Sequence, residues 1–133
     1  MLRVAVLVGS PRKTGACARF AAELEDALHG AGAVAELLFL SDYEVLGCVG
    51  CGACERTGAC VLDAREGAGG RPGFACLLKR LQAADALALV APVYFSGPPS
   101  QLKAVLDRMQ PLWCQRYLLG QRPVCPLECR RPL

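Results

Sequence analysis

Three short apolar runs, separated by segments of helical periodicity, constrain the fold of this chain more than any other feature. The runs cover residues 2–8, 34–40 and 86–91 and are apolar at nearly every position. Such runs are typical of strands that are buried on both faces of a parallel sheet. Between the first two, residues 17–28 carry apolar side chains three and four positions apart, which predicts an amphipathic helix. The sequence therefore predicts an α/β fold.

Two more helices are predicted later in the chain, over residues 74–81 and 102–109, from the same apolar spacing. Pro111 is expected to end the second of them, because proline lacks the N–H group that a helix interior needs. Residues 111–133 are then expected to form an irregular C-terminal tail. Its arginines, together with Arg108, are expected to be solvated.

Composition predicts a single globular domain over residues 1–133, since 53% of the residues are apolar and 20% are charged. The net charge of +3 is too small and too dispersed to indicate a nucleic-acid partner. The longest apolar stretch is interrupted by Asp85 and Pro92, so no membrane span is expected. The N-terminal run does not have the pattern of a signal peptide. We therefore expect a cytoplasmic protein that binds neither membrane nor nucleic acid.

Four cysteines lie within thirteen residues, inside a cysteine-rich insertion loop predicted over residues 47–73. In a reducing compartment, an odd total of nine cysteines favours metal ligands or free thiols over disulfides. The spacing predicts an iron–sulfur cluster and is less typical of zinc, but zinc and free thiols both stay open. The predicted ligands are Cys48, Cys51, Cys54 and Cys60. The other cysteines lack such grouping and are expected to be core or surface thiols: Cys17, Cys76, Cys114, Cys125 and Cys129.

The loop at residues 9–15 joins the first strand to the first helix, where backbone N–H groups favour an anion. Ser10 and Thr14 can donate to phosphate oxygens, and Arg12 or Lys13 can add positive charge. Gly15 allows a ligand to approach the backbone closely. The same residues also suit a plain strand-to-helix turn, so this motif alone does not decide between the two interpretations.

The loop at residues 91–98 follows the third predicted strand, so it leaves the same edge of the sheet as the first loop. In an open α/β sheet, ligands bind at that edge where the strand order reverses. Tyr94 and Phe95 are candidates to border a flat ring. The backbone of residues 92–97 is a candidate to form hydrogen bonds with the edge of that ring. The alternative is that both aromatic rings only fill the core.

The order and spacing of these three motifs resemble the NAD(P)H-dependent FMN reductase family, and specifically its iron–sulfur flavoprotein branch. The similarity includes residues 98–108 and covers the chain from about Arg3 to Trp113. It implies a flavodoxin-like, doubly wound parallel sheet. Such a sheet has five strands, so the last two are missing or altered here, and the apolar run at 86–91 would lack one neighbour.

The resemblance also implies the cofactor contacts. The FMN phosphate would lie on Ser10, Arg12, Thr14, Gly15, Ala16 and Cys17, and the isoalloxazine ring on Pro92, Val93, Tyr94, Phe95, Ser96 and Gly97. The four clustered cysteines would ligate a [4Fe–4S] cluster. The family usually has Asn-Thr after the glycine of the first loop, where this chain has Ala16 and Cys17. No side chain is implied to act as a catalytic acid, base or nucleophile.

The function implied by the resemblance is an FMN-dependent oxidoreductase. It would take electrons from NAD(P)H and pass them to an unknown acceptor, with the [4Fe–4S] cluster as the candidate relay. The resemblance also implies a homo-oligomer. The alternatives are a non-enzymatic electron carrier or metal-binding module, and a truncated relative that no longer holds flavin.

Overall fold

The computed structural model describes residues 1–122, with three strands and five helices in that part of the chain. The strands are β1 (Arg3–Val8), β2 (Val34–Phe39) and β3 (Ala86–Val90). The helices are α1 (Ala16–Gly30), α2 (Ala53–Thr57), α3 (Phe74–Gln82), α4 (Ser100–Asp107) and α5 (Gln110–Tyr117). Short 3-10 turns cover Leu40–Asp42 and Val61–Ala64. Within the described residues, no helix combines the length and the apolar character that crossing a bilayer requires.

β1 is the central strand and pairs in parallel with both neighbours, so the strand order is β2-β1-β3. In the register, Val4 lies opposite Ala35 on one side and Ala86 on the other. This order corresponds to the first three positions of the flavodoxin-like order 2-1-3-4-5. The predicted α/β fold with a parallel, flavodoxin-like sheet is confirmed.

Helices cover both faces of the sheet, because alternate side chains of β1 point to opposite sides. Val4, Val6 and Val8 belong to one buried cluster, which α1 covers with Ala21. Ala5 and Leu7 belong to the other cluster, which α3 and α4 cover. β1 is therefore buried on both faces, which explains why its sequence is almost uninterrupted in apolar character.

β3 forms one edge of the sheet within residues 1–122, because it pairs with β1 alone. Its sequence, ALALV, is that of an interior strand, yet the Leu89 side chain is 46% exposed. An edge strand presents unpaired backbone N–H and C=O groups to whatever lies beside it. In the described residues the sheet therefore has three strands, as the sequence predicts.

The prediction of an irregular tail from residue 111 is wrong for residues 111–117, since α5 extends from Gln110 to Tyr117. Pro111 stands in the first turn of this helix, where a missing N–H group costs no hydrogen bond. Arg108 is not solvated either, because only 1% of it is exposed. Residues 123–133 of the predicted tail lie outside the described residues.

A buried ion pair between Arg108 and Glu66 fixes the cysteine-rich segment to the core. The guanidinium binds the Glu66 carboxylate and also donates to the Leu46 carbonyl oxygen at 2.9 Å. Glu66 in turn accepts from the backbone N–H groups of Leu46 and Phe74, at 2.8 and 2.7 Å. Burial by itself lowers the pKa of Arg108, but its hydrogen bond to Glu66 and the charge of that carboxylate outweigh burial and raise it. The guanidinium therefore stays charged, and the Glu66 carboxylate that it binds holds both ends of the segment.

We predict that Glu66→Gln destabilises the fold strongly, because it leaves the buried Arg108 charge without its main partner. Removing one member of a buried ion pair costs about 3–5 kcal/mol of unfolding free energy. The matched control is Asp107→Asn, which breaks the exposed Lys103–Asp107 pair on α4 and should cost less than about 1 kcal/mol. Urea unfolding followed by circular dichroism measures both. Equal, small losses in the two variants would contradict this role of Glu66.

Candidate functional site

The two predicted ligand loops lie side by side at one edge of the sheet. They leave the carboxyl ends of the adjacent strands β1 and β3, and the Gly9 N–H donates to the Val90 carbonyl oxygen at 2.8 Å. A Cβ atom on Gly9 would lie 3.0 Å from Leu102 Cδ2 and 3.3 Å from Ala91 Cβ. Glycine at this position therefore allows the first loop to contact both the second loop and α4.

The first loop ends at an open helix N-terminus. α1 has Gly15 as its N-cap, with no side chain bonded to the first-turn N–H groups and no acidic residue in that turn. These N–H groups therefore keep their capacity to bind an anion. Ser10 is buried, and its hydroxyl oxygen accepts a hydrogen bond from the Arg12 N–H at 3.2 Å.

Both basic side chains of this loop are exposed, but Lys13 has partners within the protein. Lys13 forms an ion pair with Asp42 and lies 5.9 Å from the centre of the Phe39 ring. Arg12 is therefore the better candidate to meet an anionic ligand.

The remaining residues of the first predicted contact set differ in exposure. Thr14 and Ala16 are exposed, whereas Cys17 is half-buried and packs against the core cluster beneath α1.

The second loop is a strained, exposed turn. Tyr94 and Gly97 exchange two backbone hydrogen bonds, of 2.8 and 3.1 Å, across a two-residue turn. Phe95 and Ser96 occupy that turn with φ of 45° and 66°, a region that bulky residues rarely adopt. The Phe95 side chain is fully exposed, and Val93 and Tyr94 are also exposed. The alternative that Tyr94 and Phe95 only fill the core is therefore wrong.

Together the loops place an uncapped helix N-terminus beside exposed aromatic side chains and turn backbone. All twelve predicted FMN contacts lie in or directly after these loops, at the edge where open α/β sheets bind ligands. This chemistry suits a flat ring that carries a phosphate. The individual contacts stay predictions.

The four clustered cysteines line one cavity of about 480 Å³. Cys48 and Cys51 are exposed, and Cys54 and Cys60 are half-buried. The short helix α2 lies between the second and fourth cysteines, and glycines with positive φ stand at both its ends, at positions 52 and 58. The segment predicted as a loop thus contains a helix that orients Cys54.

No three cysteine, histidine or acidic side chains in residues 1–122 are gathered closely enough to hold a metal ion. A zinc ion needs its four donors within about 2.3 Å of one centre. The four cysteines instead line one cavity together with other residues, and four thiolates are the donor set that an iron–sulfur cluster uses. The donor set is therefore compatible with a cluster, whose presence stays a prediction.

A fifth cysteine, Cys114, lies beside this group, although the sequence analysis assigns it to the ungrouped thiols. Its Sγ atom is 3.8 Å from the Sγ of Cys54, and its side chain is fully buried on α5. Burial raises the pKa of Cys54. The hydrogen bond with Cys114 and the negative charge of the Cys114 thiolate raise it further. Cys114 is a core thiol, as expected, but its contact with Cys54 was not predicted.

Arg108 is the second site residue that the sequence analysis does not identify, since it borders the same cavity as the four cysteines. Its positive charge is held there by Glu66 and Asp63. A cation beside thiolates lowers the cost of gathering several negative charges in one place. Its sequence signals are its place directly after the last residue of α4 and its position at the end of the stretch 98–108 that carries the resemblance.

Comparison with known proteins agrees with this arrangement. The family described as NADPH-dependent FMN reductase matches residues 2–129. An iron–sulfur flavoprotein of Methanocaldococcus jannaschii is 34% identical over 113 residues, which cover 84% of this chain and 53% of the relative. An iron–sulfur flavoprotein of Methanosarcina thermophila is 31% identical over 80% of this chain and 52% of the relative.

A third relative, an iron–sulfur flavoprotein of Archaeoglobus fulgidus, is 30% identical over 86% of this chain and 49% of its own length. The chain thus spans about half the length of the curated relatives that it matches. Because the family match includes nearly every residue of the described fold and both ligand loops, the chain belongs to the NADPH-dependent FMN reductase family.

Proposed function

We propose that this chain binds FMN at its two adjacent loops and works as an FMN-dependent oxidoreductase with NAD(P)H as electron donor. The observation that carries the proposal is the position of the open α1 N-terminus beside the exposed turn at residues 92–97. The family match and the flavoprotein names of the relatives support it. FMN, when bound, accepts a hydride from a nicotinamide and delivers electrons to an acceptor.

The first loop binds the phosphate in this proposal. The first-turn N–H groups of α1 and the charge of Arg12 stabilise a phosphate dianion, and the hydroxyls of Ser10 and Thr14 donate to its oxygens. Gly15 has no side chain, so the phosphate can approach the backbone closely at this position. Ala16 and Cys17 add no strong donor, so the phosphate is held mainly by backbone groups and by Arg12.

The second loop positions the flavin ring. The backbone of Pro92–Gly97 supplies hydrogen-bonding groups, and the hydrogen bonds between Tyr94 and Gly97 keep the turn in one conformation before any ligand arrives. Such preorganisation reduces the entropy that binding would otherwise cost. Because Val93 and Phe95 are exposed, a nicotinamide donor and an acceptor can reach this loop from solvent.

We further propose that Cys48, Cys51, Cys54 and Cys60 hold a [4Fe–4S] cluster that relays single electrons to the acceptor. The shared cavity and the adjacent Arg108 charge support this role, as does the name iron–sulfur flavoprotein carried by the relatives. We place the protein in the cytoplasm, where reducing conditions keep such thiols free.

The partner that covers β3 is, in our proposal, a second copy of this chain. Within residues 1–122 the outer edge of β3 has no pairing strand and Leu89 is exposed, so a neighbour that supplies backbone hydrogen bonds and apolar contact suits this edge. Light scattering that shows a monomer at working concentrations would contradict a homo-oligomer.

The function is tested with the full chain, purified without oxygen and incubated with excess FMN. After gel filtration we expect flavin absorption to accompany the protein, and NADPH or NADH to bleach it. Iron and acid-labile sulfide without flavin would instead indicate a non-enzymatic electron carrier. A chain that retains neither would indicate a relative that has lost its cofactors, and the proposal would be abandoned.

Arg12→Ala is expected to weaken FMN binding about 10- to 150-fold, which corresponds to about 1.5–3 kcal/mol for a hydrogen bond to a charged group. Binding of riboflavin, which has no phosphate, should not change. Arg19→Ala is the matched control, because Arg19 is an exposed arginine within α1 itself. Titration followed by flavin fluorescence measures the affinity of the parent chain and of both variants for FMN and for riboflavin. An equal loss for FMN and riboflavin would place Arg12 away from the phosphate.

Cys51→Ser is expected to abolish the iron content of protein reconstituted with iron and sulfide, because one of four cluster ligands is lost. Cys76→Ser, which changes an exposed thiol on α3, should leave the iron content unchanged. Iron and sulfide analysis with the visible spectrum measures both. Retention of iron in the Cys51 variant would show that the ligands are assigned wrongly.

A further inference from the structure

We propose that Cys54 and Cys114 form a thiol pair, which a low-molecular-weight disulfide converts into an internal disulfide. The two Sγ atoms are 3.8 Å apart, and a disulfide bond of about 2.05 Å requires an approach of less than 2 Å. We also propose that this disulfide and a cluster bound through Cys54 exclude each other. Only this second part rests on the proposed function.

Contacts other than the sulfurs hold the pair in place. Cys54 belongs to α2 and Cys114 to α5, and these helices pack against each other. The Gln115 side chain on α5 donates from Nε2 to the carbonyl oxygen of Gly58, at the end of α2, at 2.6 Å. A Cβ atom on Gly58 would lie 3.0 Å from Gln115 Cγ, so the helices are close at this point. The thiols therefore lie side by side without a covalent bond between them.

The two thiols differ in access, which sets the order of the reaction. Cys54 is half-buried and lines the cysteine cavity, whereas Cys114 is fully buried. The Cys54 thiolate attacks one sulfur of the small disulfide RSSR, whose S–S bond breaks to release one thiolate and leave a mixed disulfide on Cys54. The Cys114 thiolate then attacks the Cys54 sulfur and releases the second thiolate.

The reaction is balanced. Cys54 and Cys114 lose two electrons and two protons, and RSSR is reduced to two molecules of RSH. No metal, flavin or oxygen takes part.

The disulfide changes what the cysteine cavity can bind. A Cys54 sulfur that is bonded to Cys114 is no thiolate, so three of the four proposed cluster ligands would remain. A cluster bound to Cys54 would, for the same reason, block its attack on RSSR. The disulfide between Cys54 and Cys114 thus forms only when the cavity holds no cluster. This gives Cys114 a role that the sequence spacing of the other cysteines does not indicate.

The test uses the full chain, freed of metal with a chelator and incubated in the folded state with oxidised glutathione. Free thiols are then blocked with iodoacetamide, and tryptic peptides are analysed by mass spectrometry. We expect peptide 109–116, whose one cysteine is Cys114, to be linked to peptide 20–56, with fragmentation assigning the bond to Cys54. No link in the parent chain, or equal linkage of Cys114 to Cys48 and Cys51, would overturn the proposal.

Cys114→Ser and Cys114→Ala are expected to lose the linked peptide, and Cys76→Ser to keep it, because Cys76 is an exposed thiol on α3. Persistence of a link to Cys54 in both Cys114 variants would overturn the pairing. Serine is polar and alanine is apolar, so the alanine variant still gives a result if a buried serine at position 114 harms folding.

A second sample is reconstituted with iron and sulfide before the same oxidation, and we expect loss of the linked peptide. Equal linkage in iron-loaded and metal-free protein would overturn the mutual exclusion. A chain that forms the disulfide but binds no iron would contradict the proposed cluster and support the thiol pair. The two proposals can therefore fail separately.

Discussion

The place of β1 between two parallel strands determines where ligand contacts can form in this protein. Parallel strands end at the same edge of a sheet, so the loops that follow β1 and β3 are neighbours although about eighty residues separate them. The hydrogen bond from Gly9 to Val90 joins them where the strands end. One of these loops offers helix N–H groups and the other an exposed aromatic turn, and only this strand order brings the two together.

Helix α4 connects that edge to the cysteine cavity. Its first turn follows the exposed turn at residues 92–97, and Arg108, directly after its last residue, borders the cavity. Eight residues of helix span about 12 Å. A flavin at one end and a cluster at the other would thus be held by one short rigid element. The pair Arg108–Glu66 fixes the far end, because Glu66 also bonds both ends of the cysteine segment.

The strands, α1, α3, α4 and the positions of the two loops after β1 and β3 could be predicted from the sequence, because apolar periodicity and turn residues are local signals. α5 could not, since Pro111 is normally a sign that a helix ends and only its place in the first turn makes it compatible with one. The position of Cys114 depends on α5, so its contact with Cys54, sixty residues away, was equally hidden. The burial of Arg108 depends on Glu66, in a glycine-rich stretch without periodicity.

Amide hydrogen exchange of the full chain, with and without FMN, tests most directly whether the two loops form one flavin site. We expect FMN to slow exchange in residues 9–17 and in residues 92–97 together, and riboflavin to slow it in the second loop alone. FMN that protects only one of the two loops, or neither, would contradict the account.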